Sequence, residues 1–220
     1  MCNLITNKAT VDEVGAAMKA RRKKKTNAST GEVWKGGTGF VVRDDEGERV
    51  LEAMTWGFPR HSVNQRTGQP NKPNPVNNAR DDKLLSARGM WRPWFLNPEH
   101  RCLIPITAFA EAVGPQGKMT RAWISIADQP IAACAGLWRP SDEWGDCYTM
   151  VMVDAVEAMM EIHDRMPVIL HPQDHDSWLR APPEEAMKLV TQYPADQLVV
   201  DRTDEPWSAR KTKPTVPTLI

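Results

Sequence analysis

The sequence predicts an α+β fold: a single domain in which short helices flank a curled antiparallel sheet. Strand-like segments at 101–112, 121–127, 131–138 and 147–154 follow one another with only polar turns between them. That spacing leaves no room for the crossover helices a parallel sheet requires. The chain of 220 residues suits one large domain or two small ones, and it is long enough to bury a core without disulfide staples. With 13 Gly and 18 Pro it is not a low-complexity chain.

Near the start, Thr10 and Glu13 form a capping-box pair ahead of Val14, Ala17 and Met18 at helical spacing. Six of the seven residues from Lys19 to Lys25 are basic. They read as the solvated end of that helix, where cations favour the dipole, with phosphate binding as the alternative. Stretches 39–43 and 48–56 read as two strands joined by a polar turn holding Gly47. From Pro59 to Asn78 the chain is rich in Asn, Pro, Gln and Gly, which predicts a long loop, functional or disordered. A short helix over 81–88 precedes the strand series. A helix over 156–163, a strand over 166–170 and two further helical stretches follow, one beginning at Pro182-Pro183-Glu184-Glu185, where Pro suits a first turn. Residues 1–207 form the expected domain and 208–220 a basic, Pro-containing tail; no internal repeat is visible.

Lys plus Arg and Asp plus Glu both number 28, so the formal net charge is zero, and bulk charge does not draw nucleic acid to this chain. Four Cys, at 2, 102, 134 and 147, are too few and too scattered for a disulfide framework. No apolar run approaches the roughly 18 residues of a membrane helix, and the basic cluster follows the first apolar stretch, unlike a signal peptide. A cytoplasmic location is expected. Nine Trp against four Phe and two Tyr is an unusual balance, suited to a core or to stacking on flat groups.

Cys2 is the sharpest chemical feature. Removal of Met1 would leave an α-amine (pKa about 7.7–8.0) and a thiol (about 8.5) on adjacent carbons. Such an aminothiol meets an aldehyde as a Schiff base and then closes a five-membered thiazolidine; alternatively the thiol acts in acyl transfer with the amine as base. The plain reading of position 2 is a cysteine near a chain end. His163 lies at a boundary enforced by Pro167 and is either structural or an acid/base. Glu111 interrupts the apolar stretch 104–113; it faces outward, or it is buried with a raised pKa and moves protons. Asn78 is a helix cap, or it orients an oxygen of the reacting centre. Arg80 and Arg88, across a short helix, are candidates for gripping phosphates. His171 and His175 lack a third ligand and read as helix-start residues, so no metal is expected. Cys102, Cys134 and Cys147 read as inert core thiols.

Taken in order, Cys2, Trp56-Gly57, Asn78-Ala79-Arg80, Arg101-Cys102-Leu103-Ile104-Pro105 leading to Glu111, Ala135-Gly136-Leu137-Trp138 and His163-Asp164-Arg165-Met166-Pro167 resemble the SOS response-associated peptidase (SRAP) family of abasic-site processing proteins. The resemblance covers roughly residues 2–180. It implies a pseudo-barrel of antiparallel sheet with a cleft for single-stranded DNA. It further implies a mature Cys2 that attacks the ring-opened aldehyde of an abasic site, giving a thiazolidine DNA–protein crosslink, with autopeptidase and lyase activity attached. By the family pattern Glu111 shuttles protons, His163 works near the sugar oxygen, Asn78 holds Cys2 and the sugar, and Arg80 and Arg88 contact phosphates. No cofactor is implied. The partner is single-stranded DNA containing abasic sites, bound by a monomer that is nucleoid-associated when on damaged DNA.

The chain departs from the family at Asn3-Leu4 (commonly Gly-Arg), at Ala110 and Ala112 (usually aromatic) and at Asp81-Asp82, which set negative charge beside Arg80. Two other functions stay open on the sequence: a thiol peptidase acting on proteins in trans, and a non-catalytic single-stranded DNA-binding module.

Overall fold

The computed structural model describes residues 2–23 and 30–208. In chain order the strands are β1 (Leu4–Asn7), β2 (Arg21–Arg22), β3 (Gly31–Trp34), β4 (Thr38–Asp45), β5 (Glu48–Trp56), β6 (Phe58–Arg60), β7 (Asn74–Val76) and β8 (Asn78–Arg80). They continue with β9 (Arg101–Ile106), β10 (Ala108–Val113), β11 (Thr120–Ile126), β12 (Ala132–Arg139), β13 (Cys147–Asp154), β14 (Arg165–Pro167), β15 (Ile169–Leu170) and β16 (Leu198–Pro206). The helices are α1 (Val11–Met18), α2 (Asp81–Leu84), α3 (Arg92–Leu96), α4 (His175–Arg180) and α5 (Pro183–Lys188). One sheet runs β16-β11-β10-β1-β3; the other runs β14-β13-β12-β9-β4-β5-β2, with β15 on β12 and β8 on β13. The large sheet curls until the start of β13 meets the end of β5, where Cys147 and Tyr148 pair in parallel with Thr55 and Trp56, and the α+β expectation stands.

The stretch 101–112 is two strands, not one. At Thr107 the chain leaves the large sheet for the small one, and both the Thr107 N–H and its hydroxyl donate to the Thr6 carbonyl (2.8 and 3.1 Å). This crossing places Glu111 in a different sheet from Arg101. Strands β1, β3 and β16 lie outside the expected set, and each borders the small sheet or lies within it.

Helix α1 begins with the expected capping box but ends at Met18, because Lys19 takes a left-handed conformation (φ 52°). The basic run is therefore not a helix end. Arg21 and Arg22 pair in parallel with β5, Arg21 bonds Glu48 at 2.6 Å and Lys23 bonds Asp45 at 2.9 Å. These described cations balance acids of the β4–β5 hairpin; Lys24 and Lys25 lie outside the described residues. The helix expected over 156–163 is a single 3₁₀ turn, Glu157–Met159. Asp154 pairs with Arg165, so the connection must return to its start, which an eight-residue helix rising about 12 Å would prevent. Likewise 166–170 divides between β14 and β15, which pair with different strands. The tail expected over 208–220 lies, beyond Ser208, outside the described residues.

The core is built from the inner faces of both sheets, and its largest fully buried side chains include Trp56, Trp178, Tyr148 and Arg101. None of the nine Trp is fully exposed. They act as ties: the indole N–H groups of Trp56, Trp138 and Trp178 donate to the carbonyls of Asn77, Glu99 and Cys102. Among the described residues no helix is long and apolar enough to cross a membrane.

Candidate active site

The site is assembled where the chain start meets both sheets. Strand β1 runs antiparallel to β10 with Leu4 opposite Ala110 and Ile5 opposite Phe109, a register that brings residues 2 and 3 alongside Glu111. Cys2 is completely buried. Its carbonyl oxygen accepts two side-chain amide N–H bonds, from Asn77 Nδ2 (2.8 Å) and Asn78 Nδ2 (2.9 Å). The thiol points at the Leu4 carbonyl, 3.6 Å away. Burial pushes the Cys2 thiol well up, and the negative Glu111 adds to it, so the sulfur stays protonated at neutral pH.

Asn77 joins the candidate site through its bond to Cys2 and was not singled out by the sequence. It precedes β8, its carbonyl accepts from the Trp56 indole (3.2 Å) and the Met150 N–H (3.0 Å), and its amide also reaches Asn3 Oδ1 at 3.3 Å. The Trp56-Gly57 pair thus positions the Asn77-Asn78 pair. Gly57 holds φ 129°, and a Cβ there would overlap Pro75. The doubled Asn was visible in the sequence, but adjacent strand residues normally face opposite sides, so only the strand's start lets both amides converge. The buried Asn78 Oδ1 has no hydrogen-bond partner among the described residues, leaving an acceptor of the kind a ligand hydroxyl satisfies.

Glu111 is 3% exposed, which resolves its alternatives in favour of burial. Burial pushes its carboxyl up to about 7, the positive amino terminus draws it down, and Asp164 pushes it up. It can therefore both take and give a proton at neutral pH. His163 is held down by burial and by the same amino-terminal charge. Its Nδ1 faces two partners that require opposite protonation: the Arg165 N–H at 3.0 Å donates to it, whereas the Asp164 carboxylate at 2.8 Å accepts from it. The ring thus has a local partner in either charge state. Arg165 in turn bonds Asp81 (2.6 Å) and Asp154 (3.0 Å), tying the His163 segment to the strand that carries Asn78.

Cys2, Asn78, Glu111 and His163 therefore gather around the amino terminus. The arginines differ. Arg80 is exposed, with its guanidinium forked onto Asp82 at 3.0 and 3.2 Å. Helix α2 stops at Leu84, so Arg88 lies beyond it and the two arginines do not share a helix. Arg88 is exposed and makes no ion pair among the described residues. Ala110 is fully buried and pairs across the small sheet with Leu4 on one side and Trp123 on the other. Cys102, Cys134 and Cys147 are free, buried thiols. His171 precedes a 3₁₀ turn and His175 opens α4. Among the described residues no three His, Cys, Asp or Glu side chains are grouped to hold a metal.

Residues 1–205 match the SOS response associated peptidase (SRAP) family. The chain belongs to that family. It is 28% identical over 170 residues to the abasic site processing protein YoqW of Bacillus subtilis, covering 72% of this chain and 70% of that one. It is 30% identical over 178 residues to the abasic site processing protein HMCES of Xenopus tropicalis, covering 69% of this chain and 52% of the longer relative. Crystal structures of a Bordetella bronchiseptica protein (23% identity, TM-score 0.74, 92% of this chain and 99% of that one) and a Bacteroides thetaiotaomicron protein (16%, 0.72, 91% of each) share the fold. Three of the segments that carried the resemblance are linked to one another through the start of the chain and β8: Trp56 ties to Asn77, Asn78 to Cys2, and Arg165 to Asp81.

Proposed function

We propose that this SRAP protein serves the DNA damage response by capturing abasic sites in single-stranded DNA through Cys2 once Met1 is removed. The reading rests on one arrangement: a buried aminothiol position whose carbonyl is clamped by two amides, beside a carboxyl that titrates at about 7. The names of its relatives, abasic site processing proteins, point to the same substrate.

The protonated thiol sets the order of steps. The α-amine attacks the ring-opened aldehyde first and the carbinolamine loses water to give a Schiff base, with His163 and Glu111 moving protons at the sugar oxygen. The Cys2 sulfur then adds to the imine carbon while its proton passes to the imine nitrogen by way of Glu111. A C–N and a C–S bond form, one water leaves, and the product is a thiazolidine. Asn78 Nδ2 holds the Cys2 carbonyl while its Oδ1 receives a sugar hydroxyl. Arg88 contacts a phosphate; Arg80 does so only by exchanging Asp82 for it. Reversal of the same steps takes up the water and releases the intact abasic strand, whereas loss of a proton beside the imine carbon of the Schiff base, with departure of the 3′ phosphate, supplies the lyase activity.

Intact mass of the purified protein before and after exposure to single-stranded DNA with one abasic site tests this. Wild type is expected to lack Met1 and to gain the mass of the DNA less one water, in an adduct that survives heat and detergent. Cys2→Ala is expected to form none. Wild type giving only labile complexes would overturn the reading. Retention of Met1 in Cys2→Ala alone would show its removal to be self-catalysed, because an aminopeptidase accepts Ala as readily as Cys.

A further inference from the structure

The stretch expected as a long loop, functional or disordered, is an ordered finger. Strands β6 and β7 pair at Phe58–Val76, Pro59–Pro75 and Arg60–Asn74, and a further bridge joins Val63 to Pro70. The tip is organised by its own polar groups: Asn64 Oδ1 accepts from the N–H groups of Arg66 and Thr67, and Asn71 bonds Ser62 through both backbone and side chain. Nearly every residue from 60 to 72 is exposed. The finger needs no apolar cover, and polar side chains hold its shape.

Its charge is one-sided. No Asp or Glu occurs between Glu52 and Asp81, although the whole chain balances 28 against 28. Arg60, Arg66 and Lys72 are exposed and make no ion pair among the described residues, whereas Arg21, Lys23, Arg43, Arg49, Arg121 and Arg165 are all paired. One acid touches the stem: Glu143 bonds His61 Nε2 at 2.7 Å. The finger's far strand leads directly into Asn77 and Asn78, and Gly57 at its root packs on Pro75.

We infer that this finger is a nucleic-acid contact separate from the reactive centre, its Arg60, Arg66 and Lys72 holding backbone phosphates of the strand that flanks the captured nucleotide. The inference builds on the proposed function for the identity of the strand. Free cations on a preordered arm bind phosphate without first breaking an internal pair, unlike Arg80. The rooting beside Asn78 couples the arm to the lesion.

The test compares wild type with the exposed-tip double variant Arg66→Ala/Lys72→Ala on a lesion-free single strand of about 20 nucleotides, by anisotropy between roughly 50 and 200 mM salt. The variant is expected to bind severalfold more weakly at low salt, with a log–log salt slope shallower by about 1.4, the value for two lost single-strand phosphate contacts. Its adduct rate on an abasic trinucleotide, which carries almost no flanking strand for the finger to hold, is expected to equal that of wild type. Equal affinity and slope for the two proteins would overturn the inference, and would leave an acidic protein surface as the finger's partner. Because the first readout uses DNA without a lesion, failure of the crosslinking chemistry would show separately, as absence of adduct in both proteins.

Discussion

At Cys2 the decisive interaction is the pair of amides on its carbonyl. Removing either leaves the other, so Asn77→Ala and Asn78→Ala are expected to fold and to slow adduct formation by about tenfold each, equivalent to about 1.4 kcal/mol of lost positioning. Single-turnover gel kinetics checks this. The double variant is expected to fall below the product of the singles, because the two share one acceptor. Glu111 makes the second residue-scale prediction. Its folded pKa of about 7 lies above the unfolded value, so the folded state binds more protons and wild-type stability falls as pH rises from about 4 through 7. Glu111→Gln is expected to remove that slope and to be more stable than wild type at pH 8, by on the order of 1–3 kcal/mol, while losing adduct formation. Denaturant titrations at pH 5 and pH 8 measure the difference. Of the positions proposed to react, Cys2, Asn78, Glu111 and His163 were legible as residue types in recognisable order. Asn77 was not, because its role depends on where β8 begins, and strand ends are set by partners remote in sequence.

Among the elements, α4 carries a pH liability. His175 at its start is 4% exposed, its Nε2 has no hydrogen-bond partner among the described residues, and burial together with the Arg49 charge lowers it to about 4. The unfolded chain takes up this proton first, so the stability is present above about pH 6.5 and is lost as pH falls toward 4. His175→Gln is expected to flatten the acid limb of a pH–stability curve relative to wild type. A second device is the Arg165 clamp on Asp81 and Asp154. Arg165→Met is expected to cost about 1–3 kcal/mol, less than a fully buried pair because Asp154 is exposed, and to slow capture by loosening His163 against Asn78. Thermal unfolding and the adduct rate read the two effects. The strands at 48–56, 121–127, 131–138 and 147–154 and the α1 capping box were readable because each depends on local alternation or a local cap. The break at Thr107 was not: both halves of 101–112 read as strand, and only the carbonyl of Thr6, about a hundred positions earlier, sends the second half into the other sheet.

For the whole molecule, zero net charge conceals an uneven distribution: cations near the acid-rich β4–β5 hairpin are spent on ion pairs, and those of the finger are not. Noncovalent binding of single-stranded DNA is therefore expected to be weak and to show a shallow salt slope, while the covalent adduct, once formed, resists salt. A salt wash before and after adduct formation separates the two. Fold class and the proposed chemistry were legible in the sequence, because an antiparallel series and an aminothiol announce themselves through neighbouring residues. The site as a working unit came only from tertiary structure. Cys2 stands just before β1, Asn78 and Glu111 lie on strands of two different sheets, and His163 lies in the turn beyond β13. The burial that protonates the thiol and lifts the carboxyl exists only once those strands exclude water together.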